Sequence, residues 1–511
     1  MIIKRLNNVS LLWFTLIVTL VLKFTISFNT GLFEDEALYW NWTRSLDPSY
    51  SLTTLISIKI FTFIFGNGSE LFIRLPALIS NFLILLLFFK IGRLYNTRDI
   101  KILFCSLLFF SVPFVTVYTS FISPDSMLLL FSVASIYFVL KIIKLNKTVD
   151  WIFCGFFLGL MLLSKYNGII YFLIVVSYLT LNKNMVNDSF IKKLLLLILS
   201  FLLTISPLMY WNLSYEPVWL NHYILTDADK VFAGYLDLLR TFFLSQIAIL
   251  LPFIFILIIL IVKNIFKTKI RTYQEKFLLF LFSATLLIFV IVSLTGKIKG
   301  NWFFIMYIPL LVSVMFMSYS RYFKILLTLS TSVNLLMLII LNLPSSGIQF
   351  VANNYFGKYI NNTFQDYWPG HISKPHNDSN WEERILKMKN RKGNLSSISE
   401  EIAGANIKYD FIATDDFNLS SLLEYYLDTG KKIYILGDLR FKYLNSAEAN
   451  SNLTGQNALL ITYNGSDSNW ESKFEKVKTL KNLKYEFVKI FEKEYNISFG
   501  ENFNPPRSSQ K

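Results

Sequence analysis

Three consecutive carboxylates, Glu34-Asp35-Glu36, open a stretch that continues to Tyr39-Trp40-Asn41-Trp42-Thr43-Arg44 and follows an apolar run ending near Phe28. Charged groups are costly in lipid, so these acids belong to a loop or interfacial helix at the water boundary. Two readings fit them. One is a solvated loop flanked by interfacial aromatics; the other is an acidic catalytic centre opening toward one face of the membrane, where a carboxylate takes the proton of an attacking hydroxyl. A second carboxylate, Asp125, follows Ser123-Pro124 at the start of another apolar run. It either caps that helix or faces a substrate. Glu34 reads as a solvated neighbour of the other two acids.

The elements that position these groups are hydrophobic. The chain has 511 residues, of which 54% are hydrophobic, 17% aromatic and 16% charged, a balance typical of a multi-span membrane protein rather than a soluble domain. Apolar runs recur near 9–28, 72–91, 101–119, 126–144, 151–164, 167–181, 193–211, 241–262, 277–294, 302–319 and 323–341. This predicts about eleven transmembrane helices, and 11–13 once the short runs are counted either way. The 52–65 segment is too short to span and reads as a re-entrant or surface helix. Lys4 and Arg5 precede the first run, but no small-x-small cleavage site follows it, so that run is expected to stay as an uncleaved span.

The net charge of +15 lies in the membrane part: residues 1–341 carry roughly 28 Lys+Arg against 14 Asp+Glu, and residues 342–511 roughly 21 against 20. With the N-terminus inside, about 19 basic residues fall in cytoplasmic loops and about 8 in outward ones. The excess therefore sets orientation, and nucleic-acid binding is not indicated. About ten of the 14 acids lie in the outward loops, which the positive-inside rule does not demand. Cys105 and Cys154 both fall in apolar runs and suggest neither a disulfide framework nor a metal cluster.

From about Leu343 hydropathy falls, and 342–511 is expected to be a soluble α/β domain facing the periplasm. Within it 409–414, 432–436 and 458–463 read as strands, 418–428 as a helix, and the end with Pro505-Pro506 as a disordered tail.

Five outward stretches now line up: Glu34-Asp35-Glu36-Ala37-Leu38-Tyr39-Trp40; Phe121-Ile122-Ser123-Pro124-Asp125; Leu163-Ser164-Lys165-Tyr166; Pro207-Leu208-Met209-Tyr210-Trp211-Asn212; and Gly296-Lys297-Ile298-Lys299-Gly300-Asn301-Trp302. With Ile73-Arg74-Leu75-Pro76 and Ser49-Tyr50, this order resembles the GT-C membrane glycosyltransferases. More narrowly it is similar to the branch holding protein O-mannosyltransferases and the bacterial aminoarabinose and other lipid A glycosyltransferases. Leu422-Leu423-Glu424-Tyr425-Tyr426-Leu427 is similar to that family's periplasmic domain. The resemblance implies a sugar carried on undecaprenyl phosphate, in contact with membrane lipids of a bacterial inner membrane. The sugar passes, with inversion, to lipid A or another envelope acceptor at the periplasmic face.

The same resemblance assigns roles. Asp35 and Glu36 occupy the place of the acid nearest the reacting centre, with Asp125 as a third catalytic candidate. Lys165, Lys297, Lys299, Arg74, Arg44 and Lys59 are candidates for the donor's phosphate, against snorkelling or structural ion pairing. Tyr39, Tyr50, Tyr166, Trp211, Asn212, Asn301 and Trp302 are expected to line the substrate pocket. No cofactor is assigned and a divalent metal stays open: His222, near Asp227 and Asp229, is a weak candidate ligand, and a hydrogen-bonded loop histidine is the more usual reading. Ser49-Tyr50-Ser51-Leu52-Thr53-Thr54 departs from the family, which often continues after Ser-Tyr with an acidic or histidine residue and a Pro-Pro pair. The pocket there must be built differently. The alternatives are a protein O-glycosyltransferase of the same fold, a lipid flippase or transporter, and an envelope scaffold.

Overall fold

A computed structural model describes residues 9–44, 51–185, 189–214, 235–267, 272–294, 300–343, 408–427, 432–436, 451–463, 468–488 and 491–504. The chain divides into two compact units. The first takes Met1–Ser27 and Ser45–Ile339; the second takes Phe28–Arg44 and Ile340–Lys511. The segment with the three acids thus belongs to the same unit as the C-terminal part of the chain.

The first unit is a helical bundle. Its helices are α1 (Val9–Asn29), then α3 (Leu52–Phe65), α4 (Glu70–Leu94), α5 (Asp99–Phe110), α6 (Pro113–Tyr118), α7 (Pro124–Leu145), α8 (Thr148–Ser164), α9 (Gly168–Leu181), α10 (Phe190–Ser214), α11 (Tyr235–Lys267), α12 (Tyr273–Ser293), α13 (Tyr307–Ser313) and α14 (Arg321–Asn342); α2 (Glu34–Trp42) lies in the second unit. Among the described residues six helices (α1, α4, α7, α10, α12 and α14) are long and apolar enough to cross a membrane, or seven if the bent α11 is one span. The chain is a multi-pass membrane protein.

Other predicted apolar runs fold as shorter or broken helices that fall outside this length-based count. The 101–119 run breaks into α5 and α6 at Ser111-Val112, where Pro113 has no N–H for a continuing helix. In lipid a freed carbonyl needs a partner. Phe110 O accepts from Thr116 Oγ1 at 3.1 Å and from Asn334 Nδ2 at 3.3 Å, while Ser111 Oγ donates to Thr331 Oγ1 at 3.0 Å. The 302–319 run is a 3-10 turn (Gly300–Met306) running into α13, with Phe303–Met315 almost wholly buried in the bundle core. α8 and α9 are 17 and 14 residues long.

Helix α3 runs across one end of the bundle rather than through it. Its Thr53 Oγ1 shares a hydrogen bond of 2.7 Å with Ser164 Oγ at the end of α8. Its last residue, Phe65, stacks on Phe72 near the start of α4, with ring centroids 5.4 Å apart. One face (Leu55, Ile58, Thr62) is buried, and the other presents Ile56, Ile60 and Phe63 outward. Between α8 and α10 the packing is close because Gly155 and Gly159 face Leu197 and Thr204: a Cβ at Gly159 would stand 2.6 Å from Thr204 Cβ.

The second unit holds a five-stranded sheet of order β2-β1-β3-β5-β4, with β1 (Phe411–Thr414), β2 (Ile433–Ile435), β3 (Ala458–Tyr463), β4 (Phe474–Val488) and β5 (Phe491–Phe503). β2, β1 and β3 are parallel; β5 and β4 run antiparallel. Helix α15 (Phe417–Tyr426) makes the crossover from β1 to β2. It is capped by Asp416, whose Oδ1 accepts from Leu419 N at 2.7 Å, and its Leu419, Leu422 and Leu423 are buried. The three strands and the helix expected from sequence are present. The β4–β5 hairpin is an addition.

Candidate active site

At the end of the bundle where α7 begins, Ser123 and Ser126 form a reciprocal cap, with Ser123 N donating to Ser126 Oγ at 3.0 Å. The cap needs nothing from Asp125. Its carboxylate instead meets Lys165, whose Nζ lies 2.9 Å from both Oδ1 and Oδ2. Both side chains are more than nine-tenths buried. The two residues that stood out separately in the sequence, one as an acid and one as a phosphate ligand, are each other's partners.

Lys165 is held by its backbone as well. It ends α8 in an extended conformation, its N–H donates to Met161 O at 3.0 Å, and its carbonyl accepts from Gly168 N at 2.9 Å. The chain turns so tightly here that a Cβ at Gly168 would lie 2.6 Å from the Met161 carbonyl carbon, so only glycine fits. Asn167, in the same turn, donates from Nδ2 to Trp302 O at 3.1 Å and so ties the Gly300–Met306 segment to the Asp125–Lys165 pair. From the other side Thr53 bonds Ser164, Ser51 Oγ donates to Thr54 Oγ1 at 2.7 Å, and Thr54 reaches Ser123 O at 3.4 Å. Ser51 adopts φ 55°, ψ 47°, an unusual conformation for serine. The hydroxyls of Ser51, Thr53 and Thr54 thus dock this segment directly beside the pair.

Arg74 belongs to the same end. It is fully buried, donates from Nη1 to Ser27 O at 2.8 Å, and lies 4.9 Å from the ring centre of Phe121, four residues before Asp125. Ser27 Oγ in turn donates to Ser120 O at 2.7 Å. One and two turns deeper, Lys23 is fully buried in α1, with Nζ 2.9 Å from Thr119 Oγ1 and 3.3 Å from Asn81 Oδ1, over the Phe110 ring at 4.8 Å. Asn81 Nδ2 holds Thr119 O at 2.6 Å. Side chains from α1, α4 and α7 therefore take the carbonyls of Thr119, Ser120 and Phe121, so the loop that delivers Asp125 is fixed from several directions.

The opposite end of the α7–α8 hairpin carries a second pair, half-buried Lys141 with buried Asp150. The acid is on α7 and the base on α8 at one end, and the reverse at the other. Sixteen residues from 125 to 141 at 1.5 Å each put the pairs about 24 Å apart, close to a membrane's apolar thickness.

The remaining predicted residues fall as follows. Lys59 is exposed on α3; Tyr166 and Trp302 are half-buried beside the pair; Trp211 and Asn212 are half-buried at the last turn of α10. Asn301 lies in the 3-10 turn. Tyr50, Lys297, Lys299 and His222, with Asp227 and Asp229, lie outside the described residues. Among the described residues no three metal-ligating side chains cluster.

In the second unit the acids head α2. Glu36 is buried and closes a capping box, its Oε2 accepting from Phe33 N at 2.9 Å; Asp35 is exposed. Tyr39 is buried with its ring 6.0 Å from that of Trp42, edge to face. Arg44 pairs with Glu424 at 3.1 Å and lies over the Trp40 ring at 4.6 Å.

Sequence reasoning missed Lys23, Thr53, Asn167 and Glu424 as members of these constellations. Thr53 was legible as a departure from the family pattern. Lys23 carried a signal too, as the one charge inside the first apolar run.

A membrane bundle with broken helices and a small mixed-sheet unit are the parts of the GT-C fold expected from the sequence. Residues 52–211 match the sequence model of the dolichyl-phosphate-mannose-protein mannosyltransferase family, a stretch that contains Thr53, Arg74, Asp125 and Lys165. The chain is similar in fold to ArnT from Cupriavidus metallidurans, in its apo state and bound to undecaprenyl phosphate. Each comparison gives a TM-score of 0.60 at 13% identity, covering 96% of this chain and 98% of that one. No curated sequence matches.

Proposed function

We propose that this protein is a glycosyltransferase moving a sugar from undecaprenyl phosphate to lipid A or a related envelope acceptor, at the periplasmic face of a bacterial inner membrane. The observation that carries this reading is the buried Asp125–Lys165 pair, with Arg74 at the same end of the bundle, inside the stretch that matches the family. Its support is the fold shared with a transferase captured with undecaprenyl phosphate.

The chemistry is a single displacement with inversion. The acceptor oxygen bonds to the anomeric carbon as the bond from that carbon to the donor's phosphate oxygen breaks, and the electron pair leaves on the lipid phosphate. Lys165 and Arg74 supply cationic groups whose hold on the phosphate strengthens as its charge grows. Lys165 uses Asp125 to keep its ammonium in place. Where the acceptor is a hydroxyl, its proton goes to Asp35, the exposed acid of α2; Glu36 is engaged in the helix cap. A phosphate acceptor is already anionic and needs no base, and Asp35 then orients the sugar or balances the cations.

The description of the matching family favours a second reading, transfer to a protein hydroxyl. Mass spectrometry of lipid A from cells with and without the protein separates the two. Loss of a hexose- or aminosugar-sized increment is expected; unchanged lipid A together with lost glycopeptides supports the second reading, and no change in either overturns both.

A further inference from the structure

The acid-bearing helix is too short to stand alone. Isolated helices of nine residues are unstable in water, so α2 depends on what it packs against. That support is α15, some 380 residues away in the chain. Leu32 N, just before α2, donates to Tyr426 Oη at 2.8 Å. Just after α2, Arg44 Nη1 donates to Glu424 Oε2 at 3.1 Å. Between these ties Asn41 Nδ2 reaches Ser421 Oγ at 3.5 Å, and the Trp40 ring meets Tyr425 edge to face at 5.0 Å. Helix α2 is thus pinned at both ends and along one side.

Glu424 is the centre of this arrangement. Its side chain is 2% exposed, and while Oε2 takes Arg44, Oε1 accepts from Ile433 N in β2 at 3.3 Å. One buried carboxylate therefore links the end of α2, helix α15 and the sheet. An exposed ion pair would contribute little, but a buried carboxylate that bonds two elements fixes their relative placement.

We infer that Glu424 is a positioning residue for Asp35, and that the sheet domain is thereby a working part of the transferase rather than an independent binding module. The inference rests on the reading that Asp35 serves the acceptor. It also reassigns Arg44: its guanidinium holds α2 to Glu424 and is not a ligand of the donor's phosphate.

The test uses full-length protein reconstituted in vesicles, with undecaprenyl phosphate-linked sugars as donors. Glu424→Gln keeps an acceptor for Ile433 N but removes the charge that Arg44 pairs with. Arg44→Gln breaks the same contact from its half-exposed side, should the buried variant fold poorly. Both are expected to lower kcat by about 10–100-fold, the scale of a small misplacement of a reacting group, with donor KM within about two-fold. Amide exchange over residues 33–42 should rise in both. Unchanged kcat in both variants, or a raised donor KM at parent kcat, overturns the inference. Parent-level transfer by Asp35→Asn overturns the underlying reading and the inference with it.

Discussion

Replacing Lys165 by Met leaves Asp125 without its partner in a site where it is more than nine-tenths buried, and replacing Asp125 by Leu strands Lys165 in the same way. At 2.9 Å from both oxygens the pair attracts by roughly 6 kcal/mol at an effective dielectric near 20, much of which offsets the cost of taking two charges out of water. The net worth of the pair over two apolar side chains is therefore small. Breaking it is different: each single variant should lose about 3–5 kcal/mol, because one charge stays buried alone. Lys165→Met with Asp125→Leu together should recover most of that loss. The assay is thermal unfolding in detergent, read as midpoints in one scan series, alongside sugar transfer in vesicles. The expected result is low midpoints for both singles, a midpoint near the parent's for the double variant, and no transfer by any of the three. Transfer restored with stability in the double variant would refute the argument, since the pair would then be a brace and nothing more.

Two further outcomes follow from packing. Gly155→Leu should collapse the folded yield, because its side chain must enter the space of the Leu197 carbonyl where α8 and α10 meet; size-exclusion profiles of the detergent-extracted protein report this directly. Glu36→Ala removes one half of the α2 capping box and should cost about 1 kcal/mol in the second unit with partial loss of transfer, whereas Asp35→Asn should abolish transfer at an unchanged unfolding midpoint.

Much of the fold was legible because lipid leaves few solutions: long apolar runs must be helices. The misreadings are local. A proline at 113 interrupts a run whose hydropathy alone looks continuous, and the broken helix is rescued by Asn334 and Thr331 from a distant span. Lys23 disappears in the average of a 21-residue apolar helix, although its buried bonds to Asn81 and Thr119 help fix the loop before Asp125. The β4–β5 hairpin escaped notice because Lys489-Ile490, between its strands in the sequence, contains none of the glycine, asparagine or aspartate that marks a tight turn.

The site was legible as residues and not as contacts. Ser123-Pro124-Asp125 announces a helix start, but whether the acid caps that start depends on Ser126, which takes the role instead. The partnership of Asp125 with Lys165 depends on the register of two antiparallel helices 40 residues apart in sequence. The attachment of α2 to α15 joins the acid-bearing segment to the far end of the chain, and no local pattern encodes a contact across 380 residues.

The central claim is that a lipid-linked sugar is the substrate and its lipid phosphate the leaving group. Purified protein in vesicles, given undecaprenyl phosphate-linked aminoarabinose, glucose or mannose together with lipid A, tests this by direct counting of products. The account predicts glycosylated lipid A and free undecaprenyl phosphate in equal amounts with at least one donor, and neither product with Lys165→Met. Release of neither product from any of the donors, by protein shown to be folded, would contradict it.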